Sequence, residues 1–263
     1  MKPQLNINKS FPKKSLGQNF IKNKDFILKL SELIRSDNDT NIFEVGPGMG
    51  ALTDQLVKKK FKNLYLIEKD LSLYLMLDKR FREYNNIFAY NSDALDYNYE
   101  VINKNQKSLI VGNLPFNISS QLLVNWIANY SWPPFYSKMI LMFQKEVAER
   151  IIAKHNQKSY SRISVISQSR CEIRLLLNAP SNIFFPKPKV DGTVLEFSPI
   201  TKNSDVNILN LQKLLRKSFK HRRKKIKTSL KDYDYLLKRF DIDDSLRAEN
   251  LSVEEYCKLA SAI

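Results

Sequence analysis

The chain has 263 residues, which is enough for one doubly wound domain with a small appendage. No apolar stretch reaches the roughly 20 residues that a membrane span requires, and the lysine-dotted N-terminus lacks the apolar core of a signal peptide, so a cytoplasmic protein without membrane contact is expected. Cys171 and Cys257 lie far apart and His155 and His221 are unpaired, which fits reduced thiols and no metal better than a disulfide framework or a metal site.

The net charge of +16 is concentrated in two segments of the chain. Residues 1–24 contain six lysines and no acid, and residues 206–231 contain ten lysine or arginine residues and no acid. Biased codon usage would raise lysine everywhere, yet the other 27 basic residues are balanced by 27 acidic ones. The distribution therefore favours a phosphate-binding surface over compositional bias.

The first predicted strand, residues 41–45, leads into a glycine-rich loop and then into an amphipathic helix. The loop carries Glu44, Gly46, Gly48 and Gly50 at intervals of two residues. Glycine at such positions allows positive φ angles and lets a ligand approach the backbone closely. A dinucleotide-binding loop has its third glycine three positions after the second, so the shorter interval here favours adenosine without phosphates.

Two further predicted strands each end beside an acidic residue. Residues 64–67 lead to Glu68, about twenty residues after the loop, where an acid can accept hydrogen bonds from ribose hydroxyls. Residues 87–89 lead to Asp93, whose carboxylate can accept from an adenine amine. The alternative for Asp93 is an ordinary helix cap or turn residue.

The fourth predicted strand, residues 109–111, is followed by Asn113, Leu114, Pro115 and Phe116. An amide beside a proline-stiffened turn and an aromatic ring is suited to holding a flat, amine-bearing base. Asparagine and proline are also common turn formers, so a plain strand-to-helix turn is the alternative. Because carboxyl ends of parallel strands meet at one edge of a sheet, this element should share a crevice with the glycine loop and both acids.

Strands and helices alternate from about residue 41 to residue 197, which predicts an α/β fold with a mostly parallel sheet and helices on both faces. The later strands are predicted at residues 137–143, 172–177 and 194–197. A proline-punctuated loop at 180–188 places Phe184 beside Phe185. One of these rings is expected to cap the core and the other to wall the adenine pocket.

Residues 199–206 are polar and predict a linker into a small α-helical domain, which gives a division into domains 1–200 and 201–263. Within the tail, apolar and basic residues follow helical spacing on two different faces. Such a helix also suits an acidic membrane or a protein partner. The apolar set is Leu211, Leu215, Phe219, Ile226 and Leu230; the lysine face is Lys213, Lys217, Lys220, Lys224 and Lys227; the candidate RNA contacts are Lys220, Arg222, Arg223 and Lys224.

Several ordered stretches make the chain resemble the small-subunit ribosomal RNA adenine dimethyltransferases over nearly its whole length. Several of these stretches are long, and they follow the same order as in that family. The matching stretches are KSLGQNF at 14–20, EVGPGMGALT at 44–53, residues 68–70 and 92–94, NLPFNIS at 113–119, FQKEVAER at 143–150, FFPKPKVD at 184–191 and RAENLSVEEY at 247–256.

The resemblance implies a Rossmann-like methyltransferase fold and S-adenosylmethionine as methyl donor. It also implies dimethylation of two adjacent adenines near the 3′ end of 16S rRNA, on a pre-30S particle, by a monomer with a role in small-subunit biogenesis. Carried over by position, the cofactor contacts are Asn19, Ile21, Gly46, Glu68, Asp93 and Asn113, the adenine is held by Asn113, Leu114, Pro115 and Phe116, and the pocket wall is Phe184 with Pro186 and Pro188.

One position departs from the family pattern. The family usually has tyrosine at the last of the four base-holding positions, where this chain has Phe116. Stacking on an aromatic ring is worth roughly 1 to 3 kcal/mol per base and does not require the hydroxyl. The departure is therefore expected to affect the rate and not the type of reaction.

Three alternatives remain open. The related large-subunit methyltransferases of antibiotic resistance share the cofactor loop, but stretches 184–191 and 247–256 resemble the small-subunit group. A ribosome-assembly or transcription factor could keep the fold and the RNA binding without catalysis, although intact Gly46, Gly48, Glu68 and Asn113 argue against a purely binding role. A DNA adenine methylase usually begins its catalytic loop with an acid or asparagine followed by two prolines, whereas Leu114 intervenes here.

Overall fold

The computed structural model describes residues 12, 17–101, 107–128, 132–203 and 205–263. The lysine-rich residues 1–11 and the start of stretch 14–20 thus lie outside the described residues. The chain forms two compact units: residues 1–122, 135–145 and 175–196 make the first, and residues 123–134, 146–174 and 197–263 make the second. The division at residue 200 stays a prediction.

The described strands are β1 Phe20–Ile21, β2 Asn41–Val45, β3 Asn63–Glu68, β4 Ile87–Asn91, β5 Ser108–Asn113, β6 Lys138–Gln144, β7 Cys171–Ala179, β8 Phe184–Phe185 and β9 Gly192–Pro199. Seven of them form one sheet, in the order β4-β3-β2-β5-β6-β9-β7, and β1 pairs with β8 in a separate two-stranded sheet. The pairs β2–β3, β2–β5, β3–β4 and β5–β6 are all parallel, which confirms the predicted class.

The helices are α1 Lys24–Leu33, α2 Thr53–Leu56, α3 Leu71–Phe81, α4 Ser119–Ala128, α5 Lys145–Ile152, α6 Arg162–Arg170, α7 Ile208–Lys220, α8 Ile226–Ser229, α9 Asp234–Arg239 and α10 Val253–Ser261. Within the described parts of the chain, no helix has the length and apolar character needed to cross a membrane.

Continuous apolar runs explain why the central strands form the core of the first unit. All five residues of β2 are buried, as are the first five of β5, which is typical of parallel strands covered on both faces. One face of the sheet packs against Leu30, Leu56 and Leu77 from α1, α2 and α3. On the other face, Phe43 stacks on Tyr65 with ring centroids 5.0 Å apart.

The strand before the base-holding element is longer than the sequence predicts. The pairing of β5 with β6 continues through Asn113, which lies opposite Met142. Asn113 is therefore the last residue of a strand, and the turn begins after it. A ladder position restrains the Asn113 backbone more tightly than a loop position would.

The second unit contains the helical tail, where α6, α7 and α10 pack together. The predicted apolar residues Leu211, Leu215, Ile226 and Leu230 are fully buried there. The predicted continuous helix is wrong beyond Lys220, because the chain leaves helical geometry at His221 and pairs through Lys225 with Arg247. Ile226 and Leu230 are nevertheless buried as predicted, because α8 begins at Ile226 and restores the helical spacing.

Candidate active site

A cavity of about 510 Å³ lies in the first unit, where β2, β3 and β5 end. The residues that the sequence assigns to cofactor contact and to holding the target adenine all line it, whereas the predicted wall residues Phe184, Pro186 and Pro188 do not. The assigned residues that line the cavity are Asn19, Ile21, Gly46, Glu68, Asp93, Asn113, Leu114, Pro115 and Phe116. The predicted crevice is thus present in the folded chain.

The glycine loop forms one wall of the cavity. Gly46, Gly48 and Gly50 have φ angles of +67°, +59° and +79°, a region that other residues adopt only with strain. A side chain at Gly48 would also collide with Phe20, because its Cβ would lie 2.9 Å from two ring carbons. The loop therefore leaves its backbone open to the cavity, which a cofactor lying against it requires.

Glu68 stands at the end of β3 with both carboxylate oxygens engaged. Oε2 accepts from the N–H of Gly48 at 3.1 Å and Oε1 accepts from the N–H of Asp70 at 2.9 Å. Burial raises the pKa of Glu68, although these hydrogen bonds oppose the rise. A carboxylate has about four acceptor sites, so Glu68 can accept further hydrogen bonds from hydroxyls.

Asp93 holds a turn and also faces the cavity. Its Oδ1 accepts from the N–H of Leu95 at 3.0 Å, and its Oδ2 pairs with the Lys69 ammonium at 2.5 Å. Burial alone would raise the pKa of Asp93, but these contacts hold it below its usual value, so the group is an anion. Lys69 was missed from the sequence, although it stands inside the matched stretch 68–70.

Glu44 is a second buried acid whose environment the sequence does not reveal. Its carboxyl is 2 % exposed and accepts a hydrogen bond from the Thr53 hydroxyl at 2.7 Å. Burial raises the pKa of Glu44 to about 8, so the group is mostly protonated at neutral pH. It therefore contributes little negative charge to the cavity that it lines.

Asn113 is anchored in one orientation by the backbone. Its Nδ2 donates to the carbonyl of Asn19 at 2.9 Å, and because a carbonyl only accepts, the contact fixes which end of the amide is nitrogen. Among the residues that the structure describes, none donates to Oδ1 of Asn113. The acceptor end of this amide is thus available to an amine.

The turn after Asn113 is held by backbone hydrogen bonds and by burial of Leu114. The carbonyl of Pro115 accepts from the N–H groups of Ile118 and Ser119, both at 3.1 Å, and the Leu114 side chain is 2 % exposed. Gly112 allows this turn to lie close to β2, because a Cβ there would be 2.6 Å from the Val45 carbonyl oxygen. Only glycine fits that position without moving the backbone.

As the sequence predicts, one of the two neighbouring phenylalanines packs in the core and the other lines the cavity. The two roles are exchanged relative to what the family resemblance implies. Phe184 is buried in the core, whereas Phe185 is 57 % exposed and lines the cavity. The alternation follows from β8, in which successive side chains point to opposite faces. The structure therefore does not bring Phe184 into the cavity.

The basic residues of the tail differ from one another. Lys220, Arg223 and Lys224 are exposed. Arg222 is instead only partly exposed, and its guanidinium forms an ion pair with Glu249 and donates to the Lys158 carbonyl. The contact predicted from sequence for Arg222 thus competes with a structural role.

Potential metal ligands are dispersed. The described residues contain no group of three or more His, Cys, Asp or Glu side chains that could hold a metal ion.

Comparison with known proteins gives the family. The sequence profile of the ribosomal RNA adenine dimethylase family matches residues 9–263. The chain belongs to this family. Dimethylases of this family use S-adenosylmethionine and act on ribosomal RNA, so the chain is a methyltransferase of that kind and not a DNA adenine methylase.

Curated relatives match the dimethylase over almost its full length. "Ribosomal RNA small subunit methyltransferase A" of Rhizobium johnstonii is 36 % identical over 254 residues, covering 95 % of this chain and 92 % of the relative. The protein of that name from Sulfurihydrogenibium sp. is 35 % identical over 258 residues and covers 98 % of both chains. The one from Pelagibacter ubique is 37 % identical over 254 residues, covering 94 % and 95 %.

Solved structures share the fold of the dimethylase. A dimethyladenosine transferase from Plasmodium falciparum superimposes with a TM-score of 0.79 at 25 % identity, covering 91 % of this chain and 95 % of that one. The 23S rRNA methyltransferase ErmE superimposes with a TM-score of 0.67 at 19 % identity, covering 91 % and 97 %. The second likeness supports the fold alone.

Proposed function

We propose that this chain dimethylates the N6 amines of two adjacent adenines near the 3′ end of 16S rRNA, with S-adenosylmethionine as donor. The observation that carries the substrate is the match, at 35 to 37 % identity and nearly full length, to relatives named for the small ribosomal subunit. The cavity supports the chemistry, since it combines a glycine cradle with an oriented amide.

The cofactor would lie along the glycine loop. Glu68 accepts from the ribose hydroxyls, and Asp93 accepts from the adenine amine. Asn19 and Ile21, which also line the cavity, contact it, and the backbone at Gly46 allows close approach. When bound, S-adenosylmethionine supplies an electrophilic methyl group on its sulfonium.

The target adenine would enter beside Asn113. Its exocyclic amine is a poor nucleophile, because the nitrogen lone pair is delocalised into the ring. Oδ1 of Asn113 and the carbonyl of Leu114 accept from the two N–H groups, which localises the lone pair and aims it along the cavity. Phe116 stacks on the flipped base, and roughly 1 to 3 kcal/mol of stacking holds it there.

No strong general base is needed for this reaction. Attack by the nitrogen produces an acidic ammonium, which loses its proton to water. The second methylation requires room for the first methyl group, and the compact side chain of Pro115 beside the amine supports that clearance.

The physiological substrate would be a pre-30S particle in the cytoplasm, bound by a monomer during small-subunit biogenesis. The exposed Lys220, Arg223 and Lys224 contact RNA phosphates, and Arg222 contributes to the extent that its pair with Glu249 opens. The sequence-independent charge of this segment supplies affinity, while the cavity selects the base.

The test is transfer of labelled methyl groups from S-adenosylmethionine to unmodified small subunits, large subunits and naked DNA, followed by mass spectrometry of digested nucleosides. We expect dimethyladenosine in small-subunit RNA alone. Label in large-subunit RNA would assign the chain to the resistance-type enzymes. Absence of label, despite cofactor and RNA binding, would support a pure assembly factor.

A further inference from the structure

A short segment at the edge of the cavity, residues 17–22, is tied to the rest of the first unit at several points; we call it the strap. Gln18 Nε2 donates to Oδ2 of Asp70 at 3.1 Å, and the carbonyl of Asn19 accepts from Asn113 at 2.9 Å. Lys22 donates its N–H to the Ile183 carbonyl at 2.8 Å. The strap thus contacts both the cofactor side and the base side of the cavity.

On the cofactor side, the buried Asp70 is hydrogen-bonded to the strap, to Glu68 and to the start of α3. Its N–H donates to Oε1 of Glu68 at 2.9 Å, while its own Oδ1 caps α3 by accepting from the N–H of Ser72 at 2.9 Å. Oδ2 accepts from Gln18, which joins the strap to the carboxylate proposed to bind ribose. Asp70 is only 3 % exposed, so the acceptor side of this part-buried hydrogen bond is shielded from competing water.

On the base side, Gln18 and Asn19 are consecutive residues of one tight turn. Asn19 Nδ2 donates to the Gly17 carbonyl at 3.1 Å, and Gly17 has a φ of +63°, so the backbone here is a tight turn. A shift of Gln18 would therefore displace the Asn19 carbonyl from Asn113. Without that acceptor, the Asn113 amide can rotate and present its NH₂ to the adenine amine, where two donors would oppose each other.

We propose that Gln18 is a positioning residue for methyl transfer: by bonding to Asp70 it fixes the strap so that the Asn19 carbonyl orients the Asn113 amide. The inference rests on the proposed function and deepens it. Gln18 lines the cavity, yet its side-chain amide donates to the Asp70 carboxylate, so it acts through Asn113 and need not touch the reacting atoms.

The test exchanges the two partners of this hydrogen bond. Gln18→Glu places a carboxylate against the Asp70 carboxylate, so the strap should detach. Adding Asp70→Asn restores a donor and an acceptor with the roles reversed, and the asparagine oxygen still caps α3. The matched control is Gln55→Glu on α2, the same change outside the cavity lining, where the carboxylate still accepts from Lys58.

We expect Gln18→Glu to lower kcat at least tenfold with less than a threefold rise in KM for S-adenosylmethionine. The double variant should return to within threefold of the Asp70→Asn single variant, and Gln55→Glu should match the parent. Unchanged kcat in Gln18→Glu would overturn the inference. So would a fall in kcat that follows a loss of melting temperature and is not restored by the exchange.

Failure of the inference is distinguishable from failure of the proposed function. If the parent chain transfers no methyl group to small subunits, the proposed function is wrong. If the parent is active and the exchange has no effect on kcat, only the role of Gln18 is wrong. Affinity for S-adenosylhomocysteine, measured by calorimetry in each variant, separates cofactor binding from turnover.

Discussion

Asn113 combines strand rigidity with an oriented amide, so its removal should affect chemistry far more than binding. Asn113→Ala deletes the proposed acceptor for the target amine, and loss of one preorganised hydrogen-bonding group typically costs about 10²- to 10³-fold in rate. We expect at least that loss in single-turnover methylation, with RNA affinity within about threefold of the parent. Asn85→Ala, in an exposed turn, is the control. Full turnover by Asn113→Ala would exclude the role.

Substitutions of Phe116 test whether methyl transfer depends on the aromatic ring or on the hydroxyl of the tyrosine that is usual in the family. Phe116→Ala removes the stacking surface and should lower kcat/KM by about 5- to 150-fold, the equivalent of roughly 1 to 3 kcal/mol. Phe116→Tyr restores the residue usual in the family and should change kcat/KM by less than about threefold. The steady-state rates of both variants give the comparison. A larger effect from the hydroxyl than from the ring would refute the stacking role.

Glu44 makes the stability of the folded chain fall as pH rises from about 4.5 to about 8. Its pKa is about 8 in the fold against a usual 4.5, so between these values the folded state keeps a proton that the unfolded state has lost. Stability is thus lost as pH rises through this window, by up to about 1.4 kcal/mol per pH unit. Melting temperature should fall from pH 6 to pH 8.5, and Glu44→Gln should flatten the fall.

The control for that measurement is Glu83→Gln, a neutralised acid on an exposed position. The melting temperature of this variant should fall with rising pH as steeply as that of the parent. An identical slope in Glu44→Gln and in the parent would show that burial of the carboxyl does not govern the pH dependence.

At the scale of elements, the sequence predicts the sheet well because parallel strands are continuous apolar runs. The glycine loop, Glu68 and Asp93 follow from strand ends that converge at one edge. What local pattern does not contain is pairing: the extension of β5 to Asn113 depends on β6, and the outward side of Phe185 depends on its pairing with Phe20.

Partners distant in sequence explain the other differences. Helix α7 ends at Lys220 although the helical spacing continues, and Lys225 then forms a bridge to Arg247, which is distant in sequence. Lys69 and Gln18 gain their roles from Asp93 and Asp70, and neither contact is visible from spacing along the chain. Such side-chain contacts join different loops, which periodicity cannot predict.

Gly48 is the element-scale test of the cofactor wall. Gly48→Ala adds a Cβ that would lie 2.9 Å from the Phe20 ring, at a φ of +59° that disfavours any side chain. We expect calorimetry to show at least a tenfold loss of affinity for S-adenosylhomocysteine. The far-ultraviolet circular dichroism spectrum should match that of the parent, which would show that the secondary structure is kept. Gly192→Ala, outside the cavity lining, controls for replacement of a glycine. Unchanged affinity would remove the loop from the cofactor site.

At the scale of the whole molecule, the excess positive charge should act through phosphates. Charge reversal of the exposed Arg223 and Lys224 should weaken binding to small subunits and reduce the slope of log K against log salt by about one for each phosphate that is no longer bound. The same reversal at exposed Lys58 and Lys60 is the control. Equal slopes in the two double variants would show that the tail is not the RNA-binding surface.

The second unit is discontinuous in sequence, which limits how RNA specificity could be transferred between relatives by recombination. Its residues come from three separate stretches, 123–134, 146–174 and 197–263, and α6 from the middle one packs against α7 and α10 from the last. A recombination event that transplanted only the C-terminal tail would separate α6 from the helices it packs on. Evolution of new ribosomal targets in this architecture is therefore expected to proceed by point substitution more readily than by exchange of a module.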